Sequence, residues 1–210
     1  RKEKSLFRGL VHRWASPTAL AGLAGLLGNA LRESGSLEAF FMRDYRPGAP
    51  TLQEALADFR RRLFSPFAGK AKRKGLDYLV PDPDGNAACK RLHLFLRWMI
   101  RPQDGVDLGL WRGPRTSQLT IPLDTHIARI GLLIGLTDRR TPDRRMAEEI
   151  TDSLRLLDPA DPVRYDFAIS RMGILGRCPS RRDLRLCAGC PLQDACRHWR
   201  DFSPQKTAAL

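Results

Sequence analysis

Apolar residues recur at helical spacing along most of the chain, and no segment shows a convincing strand-like alternation. The pattern predicts helices over 17–31, 51–64, 87–101, 124–136, 142–157 and 164–175. Residues 124–136 are apolar almost all round, which predicts a buried helix with Asp124 at its N-cap. The segment 102–123 contains Gly and Pro and is expected to be irregular. The fold class predicted from the pattern is therefore all-α.

The predicted helix 87–101 carries two stripes of different chemistry. The apolar stripe repeats at i, i+3, i+4 and i+7 and is expected to face the core; it consists of Leu92, Phe95, Leu96 and Met99. The opposite stripe is cationic and consists of Lys90, His93, Arg97 and Arg101. Two interpretations of the second stripe stay open, a solvated surface and a contact to an anionic partner.

The charge balance favours a polyanionic partner. Lys and Arg total 36 against 23 acidic residues, a formal net charge of +13, which favours nucleic acid or an acidic membrane surface. One basic stretch, Arg60 to Lys74, is expected to be a loop that either is solvated or contacts phosphate. No apolar run reaches the roughly 18 residues of a membrane span. The chain begins RKEK without an apolar signal segment, so we expect residue 1 to lie inside a longer natural chain.

Four of the five cysteines lie close together near the C-terminus. Cys178, Cys187, Cys190 and Cys196 are separated by eight, two and five residues. This clustering favours one metal site in a reducing compartment over a disulfide scaffold. A single loop with staggered gaps fits a [4Fe–4S] cluster. Zinc stays the alternative, although zinc ribbons usually present two Cys-x-x-Cys knuckles and this chain has only one.

Four segments between about residues 80 and 200 match, in order, the motifs of a known superfamily. They are 81–90 (PDPDGNAACK), 122–129 (PLDTHIAR), 158–173 (DPADPVRYDFAISRMG) and the cysteine run just described. The second is similar to a Val-Asp-Thr-His-x-x-Arg signature, and the first stands where a hairpin and its lysine belong. Together they resemble the helix-hairpin-helix DNA glycosylases of the endonuclease III and adenine glycosylase type. The stretches KRLHLFLRWMIR, GVDLGLW and IPLDTHIAR also resemble a narrower bacterial family, known only as a domain of unknown function.

The resemblance implies a two-lobed helix-hairpin-helix glycosylase-like fold with a C-terminal [4Fe–4S] cluster loop. The implied organisation is a helical lobe over 1–120 with a divergent hairpin (81–90) and the Lys90 helix, an iron–sulfur lobe over 121–200 that starts at the Asp124 helix, and a tail over 201–210. The implied cluster ligands are Cys178, Cys187, Cys190 and Cys196.

The same resemblance implies a DNA repair glycosylase that flips a damaged base out of double-stranded DNA and excises it, with AP lyase activity left open. Asp124 is the implied catalytic carboxylate, because a negative charge near the anomeric carbon stabilises the positive charge that grows on the sugar. Lys90 is the implied nucleophile, which must be neutral to attack the sugar and form a Schiff base. The expected DNA-binding residues are Gly85, Asn86, His93, Arg97, Arg129, Arg181 and Arg182.

The hairpin departs from the family pattern and so favours an alternative, a non-catalytic iron–sulfur nucleic-acid-binding protein on the same fold. It carries Asp82 and Asp84 where the family usually has Leu-Pro-Gly-hydrophobic-Gly. A second departure is the separation of Lys90 from Asp124, which is longer than in endonuclease III; it bears on the pairing of these two residues and does not exclude it. In either case we expect a monomer in the bacterial cytoplasm, associated with the nucleoid and with no membrane contact.

Overall fold

The structure is a computed structural model that describes residue 7, residues 9 and 10, residues 15–67 and residues 75–200. Within these ranges the regular elements are α-helices and short 3-10 helices, without a β-strand, which confirms the all-α prediction. None of the helices in these ranges has the length and apolar character needed to cross a membrane. The predicted tail 201–210 and the second part of the basic stretch, 68–74, lie outside the described residues.

The chain divides into two compact units, an N-terminal unit over residues 1–119 and a C-terminal unit over residues 120–210. Helices of the N-terminal unit are α1 (Pro17–Ser34), α2 (Leu37–Met42), α3 (Gln53–Leu63), α4 (Leu76–Leu79) and α5 (Lys90–Ile100). Helices of the C-terminal unit are α6 (Thr125–Leu133), α7 (Arg144–Arg155), α8 (Asp166–Ile174), α9 (Leu184–Cys187) and α10 (Arg197–Arg200).

Helix α5 turns a different face inward from the one that the sequence predicts. His93 and Arg97 are 4% and 3% exposed, and Arg101 is also buried, so the expected cationic stripe does not face solvent. Leu92 and Leu96 are buried as predicted, whereas Phe95 is only half-buried. The expectation that His93 and Arg97 contact DNA is thereby corrected, because neither side chain presents its charge or ring to a surface ligand.

A buried ion cluster explains the position of these arginines. The Asp107 side chain is fully buried, and its Oδ2 accepts hydrogen bonds from Arg97 Nε at 3.3 Å and Arg97 Nη2 at 3.2 Å. Arg101 Nη1 also pairs with this carboxylate and reaches Asp104 Oδ2 at 3.0 Å. Hydrogen bonds from the backbone amides of Asp107 and Val106, with a smaller contribution from Arg101, lower the pKa of Asp104 to about 2. The cluster fastens residues 102–111, which we call the strap, to the C-terminal half of α5.

Helices α6 and α8 of the C-terminal unit approach each other closely at His126 and Gly173. A Cβ built at position 173 would lie 2.6 Å from both Cβ and Cγ of His126. Contacts this short do not occur between real side chains, so only glycine fits at this position of α8. The core face of α6 consists of Ile127, Ala128, Ile130 and Gly131. The close approach fixes α6, the helix that Asp124 begins, against its neighbour.

We expect Gly173→Ala to lower the free energy of unfolding by about 1–3 kcal/mol, because the added methyl overlaps atoms of His126 that lie close to the backbone. Chemical denaturation measures the loss. Gly25→Ala in α1 is the matched control, since a Cβ there meets nothing within 4 Å and should stabilise that helix by up to about 1 kcal/mol. The loss should shrink in a His126→Gly background, and an unchanged loss there would contradict this contact.

Burial of His93 makes stability depend on pH in a defined window. Burial lowers the pKa of His93 to about 4 from its ordinary 6.5. Between these values the unfolded chain binds a proton that the folded chain does not, so stability falls as the pH is lowered from 6.5 to 4 and levels off below. The loss is on the order of 3 kcal/mol. We expect His93→Gln to remove this part of the pH dependence, measured by urea denaturation at several pH values. Persistence of the full slope in the variant would assign it to another group.

Candidate functional site

Asp124 sits at the start of α6 as its N-cap. Its extended backbone (φ −117°, ψ 179°) allows Oδ1 to accept the backbone N–H of Ile127 at 2.7 Å. The residue is half-buried. A helix N-terminus is a favourable place for a carboxylate, because unpaired amides and the helix dipole point at it. The cap therefore fixes the orientation of the carboxylate that the sequence analysis expects to be catalytic.

Arg129 lies further along α6 and contacts the beginning of the cysteine loop, which we define as residues 178–196. Its Nη2 donates to the carbonyl oxygen of Cys178 at 2.6 Å, and its Nη1 donates to that of Pro179 at 2.9 Å. Nη1 also lies 3.5 Å from Cys178 Sγ. The sequence predicts a DNA contact for Arg129, but the half-buried guanidinium is engaged within the C-terminal unit. Its observed role is to join the Asp124 helix to the first cysteine.

All four cysteines of the loop line one pocket of about 30 Å³, together with apolar and cationic side chains. A single water needs roughly 10–15 Å³ on this measure, so the space is larger than one water. The other lining residues are Leu133, Arg177, Pro179, Arg182, Gln193, His198 and Trp199. The thiols are half-buried and form no disulfides. Among the described residues no group of three or more His, Cys, Asp or Glu converges as the ligands of one metal ion do.

The segment around the cysteine loop is strongly basic. Residues 176–200 contain six arginines and only two acidic residues. Arg182 lies over the ring of Trp199 at 4.8 Å, and Arg197 pairs with Asp138 at 2.5 Å. Arg181 is exposed, whereas Arg182 is half-buried against the pocket. Of the two arginines that the sequence predicts to bind DNA here, Arg181 is thus the more accessible.

The divergent hairpin is braced by α3. Arg60 is buried, donates from Nε to the carbonyl of Val80 at 3.0 Å, and lies 3.4 Å from Asp82 Oδ2. Arg61 Nη2 reaches Asp84 Oδ2 at 3.2 Å. Both acidic side chains that depart from the family pattern are therefore paired with cations. Arg60 itself is corrected from a candidate phosphate contact to an interior residue.

The turn presents Gly85 and Asn86 to solvent, as a DNA contact would require. The amide of Gly85 donates to the carbonyl of Asp82 at 3.3 Å, and the amide of Asp84 donates to Asp82 Oδ1 at 3.3 Å. These two amides are consumed inside the turn and are not offered to an anion. Any phosphate grip at the hairpin would have to come from residues after Gly85.

Lys90 is exposed at the first position of α5. It follows Cys89, which has a φ of +43° and lies in the left-handed region that non-glycine residues rarely adopt. His93 and Arg97, which follow Lys90 on α5, are buried in the interior. Lys90 belongs to the N-terminal unit and Asp124 to the C-terminal unit, and their pairing stays a prediction.

Several structurally important residues carry no signal in a single sequence. Leu133, His198 and Trp199 line the cysteine pocket, although periodicity marks Leu133 only as one more apolar residue of α6. Asp107 anchors the strap from a segment without periodicity. Only the proximity of Trp199 to Cys196 in the chain could have suggested a place at the pocket.

The comparisons with known proteins identify a family but no activity. No curated protein and no solved structure matches the chain. A family model described as "Protein of unknown function (DUF2400)" matches residues 1–175, which include Lys90 and Asp124 and end before Cys178. Since the match covers well over half of the chain, this protein belongs to the DUF2400 family of proteins of unknown function.

Proposed function

We propose that this protein is a DNA N-glycosylase that removes a damaged base from double-stranded DNA. The observation that carries the proposal is the Asp124 carboxylate, held by the Ile127 amide at 2.7 Å at the N-terminus of a helix that is itself packed and anchored. A fixed carboxylate needs no reorganisation when positive charge develops beside it, which is the electrostatic requirement for expelling a base. The glycosylase resemblance of the PLDTHIAR segment supplies the reaction class.

The proposed reaction is a hydrolysis in which Asp124 has two roles. The bond between the base and C1′ of the sugar breaks, and its electron pair leaves with the base. Asp124 stabilises the resulting positive charge on the sugar and accepts a proton from the water that attacks C1′. The departing base takes a proton from solvent, so the products are a free base and an abasic site.

The position of Lys90 favours water over an amine as the nucleophile. A lysine that attacks carbon must be uncharged, which proteins usually achieve by desolvation or by surrounding cations. Lys90 is exposed, and the nearby His93 and Arg97 are buried away from it. AP lyase activity through Lys90 is therefore a secondary part of the proposal. If the protein is a monofunctional glycosylase, Lys90 instead contacts a phosphate of the DNA.

The four thiols of the cysteine loop are the residues that would hold a [4Fe–4S] cluster. Because each cysteine binds a different iron of such a cluster, the thiols need to share a pocket without meeting around one ion. Their common pocket supports a shared metal centre, and the staggered gaps of the single loop favour the cluster over zinc, the alternative metal. A bound cluster would cross-link the four cysteines and so hold the loop closed. Arg129 and Arg182 would offset the negative charge of the thiolates.

One observation favours the second candidate function, a non-catalytic iron–sulfur protein that binds nucleic acid. The two hairpin amides of Asp84 and Gly85 form hydrogen bonds within the turn, and Lys90 is exposed and not desolvated as a nucleophilic amine usually is. Both candidates share the same partner, duplex DNA, and the same proposed setting, a monomer in the bacterial cytoplasm at the nucleoid. They differ in whether Asp124 performs chemistry.

Protein purified without oxygen and with iron available should be brown and contain about four iron and four sulfide per chain. Cys190→Ser should lose the colour and most of the iron. Cys89→Ser is the matched control, because Cys89 is buried in the N-terminal unit and its Sγ lies 3.5 Å from the carbonyl of Asp82. Iron analysis and visible absorption measure both. A colourless, folded protein with stoichiometric zinc would contradict the cluster.

Substitution should separate the roles of Asp124 and Lys90 on a panel of duplexes that each contain one damaged base. Asp124→Asn keeps an oxygen for the Ile127 amide but removes the charge, so base release should fall at least about 100-fold, with DNA affinity equal or higher. Lys90→Gln should abolish trapping of a Schiff base by borohydride and spare base release by water. Unchanged release in Asp124→Asn would remove it from the chemistry. Binding without release by the wild type on the whole panel would establish the non-catalytic alternative.

A further inference from the structure

The N-terminal unit exposes four large apolar side chains along one short stretch of surface. Trp98 is 40% exposed, Val106 36%, Leu108 50% and Leu110 63%. We call these four residues the apolar ridge. Scattered exposed leucines are ordinary, but neighbouring ones on a basic unit indicate a contact surface.

Hydrogen bonds place the ridge residues side by side. The amides of Leu108 and Gly109 donate to the carbonyl of Trp98 at 2.8 and 3.1 Å, and the amide of Trp111 donates to that of Met99 at 2.7 Å. The strap therefore runs along the end of α5. Its side chains alternate, so that Val106, Leu108 and Leu110 are exposed, while the residues between them are buried.

The inward-facing residues hold the ridge in one conformation. Asp107 is fixed by the buried cluster with Arg97 and Arg101. Gly109 has a φ of +59°, and a Cβ there would lie 2.9 Å from the backbone of Arg101 and Gln103, so glycine is required. Trp111 is buried against Phe41 and Phe95, with ring centroids 5.3 and 5.5 Å away. A ridge ordered in advance loses little entropy when it binds.

The surroundings of the ridge are cationic. Arg91 is exposed two turns before Trp98 on the same face of α5, where its guanidinium stacks on Tyr78 and donates to the Tyr78 carbonyl. Arg112 is exposed immediately after the strap, and its backbone amide donates to Glu38. The acids of the strap are already paired, Asp104 with Arg101 and Asp107 with both Arg97 and Arg101. Apolar and aromatic side chains with cations nearby are suited to bind a polyanion that exposes flat apolar groups. A nucleic acid with unpaired bases is such a polyanion.

The geometry points to a specific role, which rests on the proposed binding of nucleic acid: the apolar ridge packs against unpaired bases and so selects DNA in which base pairing is broken. Lys90 and Trp98 are eight residues apart on α5, a separation of about 12 Å along the helix axis. This equals roughly three to four base steps of 3.4 Å. The ridge would therefore contact bases about three to four steps from the nucleotide nearest Lys90.

The test compares a fully paired duplex with the same duplex carrying an abasic-site analogue next to 2-aminopurine. Wild-type protein should bind the abasic duplex more tightly and raise the 2-aminopurine fluorescence, which reports unstacking. The double variant Leu108→Ala/Leu110→Ala should bind the abasic duplex roughly tenfold more weakly, lose the fluorescence rise, and keep its affinity for the paired duplex within about twofold, since the phosphate contacts are untouched.

The matched control is Leu156→Ala/Leu157→Ala, which removes two leucines that are 86% and 66% exposed in the C-terminal unit. It should behave as the wild type on both duplexes. Equal losses on both duplexes in the ridge variant, or no loss on either, would overturn the ridge. A concentration-dependent dimer in the wild type that the ridge variant abolishes would also overturn it, by identifying an interface between copies.

The outcome separates the ridge from the proposed enzyme activity. Ridge-dependent binding of the abasic duplex without release of any base in the lesion panel supports the ridge and removes the glycosylase reaction. Base release together with ridge-independent binding keeps the reaction and overturns the ridge. A wild-type protein that binds neither duplex at low salt overturns both.

Discussion

A guanidinium keeps its charge even in a protein interior, so a buried arginine needs hydrogen-bond acceptors around it. Four arginines of this chain are in this position. An unpaired buried charge costs several kcal/mol, so each of these arginines dictates where another segment lies. Arg60, Arg97 and Arg101 are buried, and Arg129 is half-buried. Their acceptors are the hairpin, the strap and the start of the cysteine loop. Arginines thus hold these three irregular segments in place. Arg60, Arg97 and Arg129 project from α3, α5 and α6, and Arg101 lies at the C-terminal end of α5.

The helices are largely predictable from the sequence, and their inward faces are only partly so. The 3.6-residue period locates α3, α5 and α6 to within a few residues, because burial of apolar side chains sets that period. The same argument assigns His93 and Arg97 to the surface, because it assumes that charged and polar side chains face solvent. His93 is buried as a neutral ring, since burial lowers its pKa to about 4. Arg97 is buried because Asp107, ten residues further along the chain, supplies the counter-charge from a segment with no periodicity. A pairing of this kind depends on tertiary structure and leaves no trace in a local pattern.

The candidate site is predictable to a similar extent. Asp124 caps its helix as the sequence indicates, because Asp before an apolar run is a strong N-cap. The spacing of the four cysteines predicts a shared centre, and all four line one pocket. The sequence assigns Arg129 to DNA, whereas its hydrogen bonds to Cys178 and Pro179 tie the cysteine loop to the Asp124 helix. In a basic protein, the sequence alone does not show which arginines form hydrogen bonds within the fold and which stay available to a ligand.

The total of 36 Lys and Arg residues therefore overstates the number of cations that the surface offers to a polyanion. Arginines with interior acceptors hold the hairpin and the strap. Exposed cations remain on α5, as Lys90 and Arg91, and on the cysteine loop, as Arg181. Helix α5 carries Lys90 at its beginning and Trp98 near its end, so one pinned helix sets the spacing between the candidate amine and the apolar ridge. Recognition built on such a helix does not depend on whether Asp124 performs chemistry. The proposed glycosylase and the proposed non-catalytic alternative therefore share this scaffold, and they differ in whether Asp124 performs chemistry.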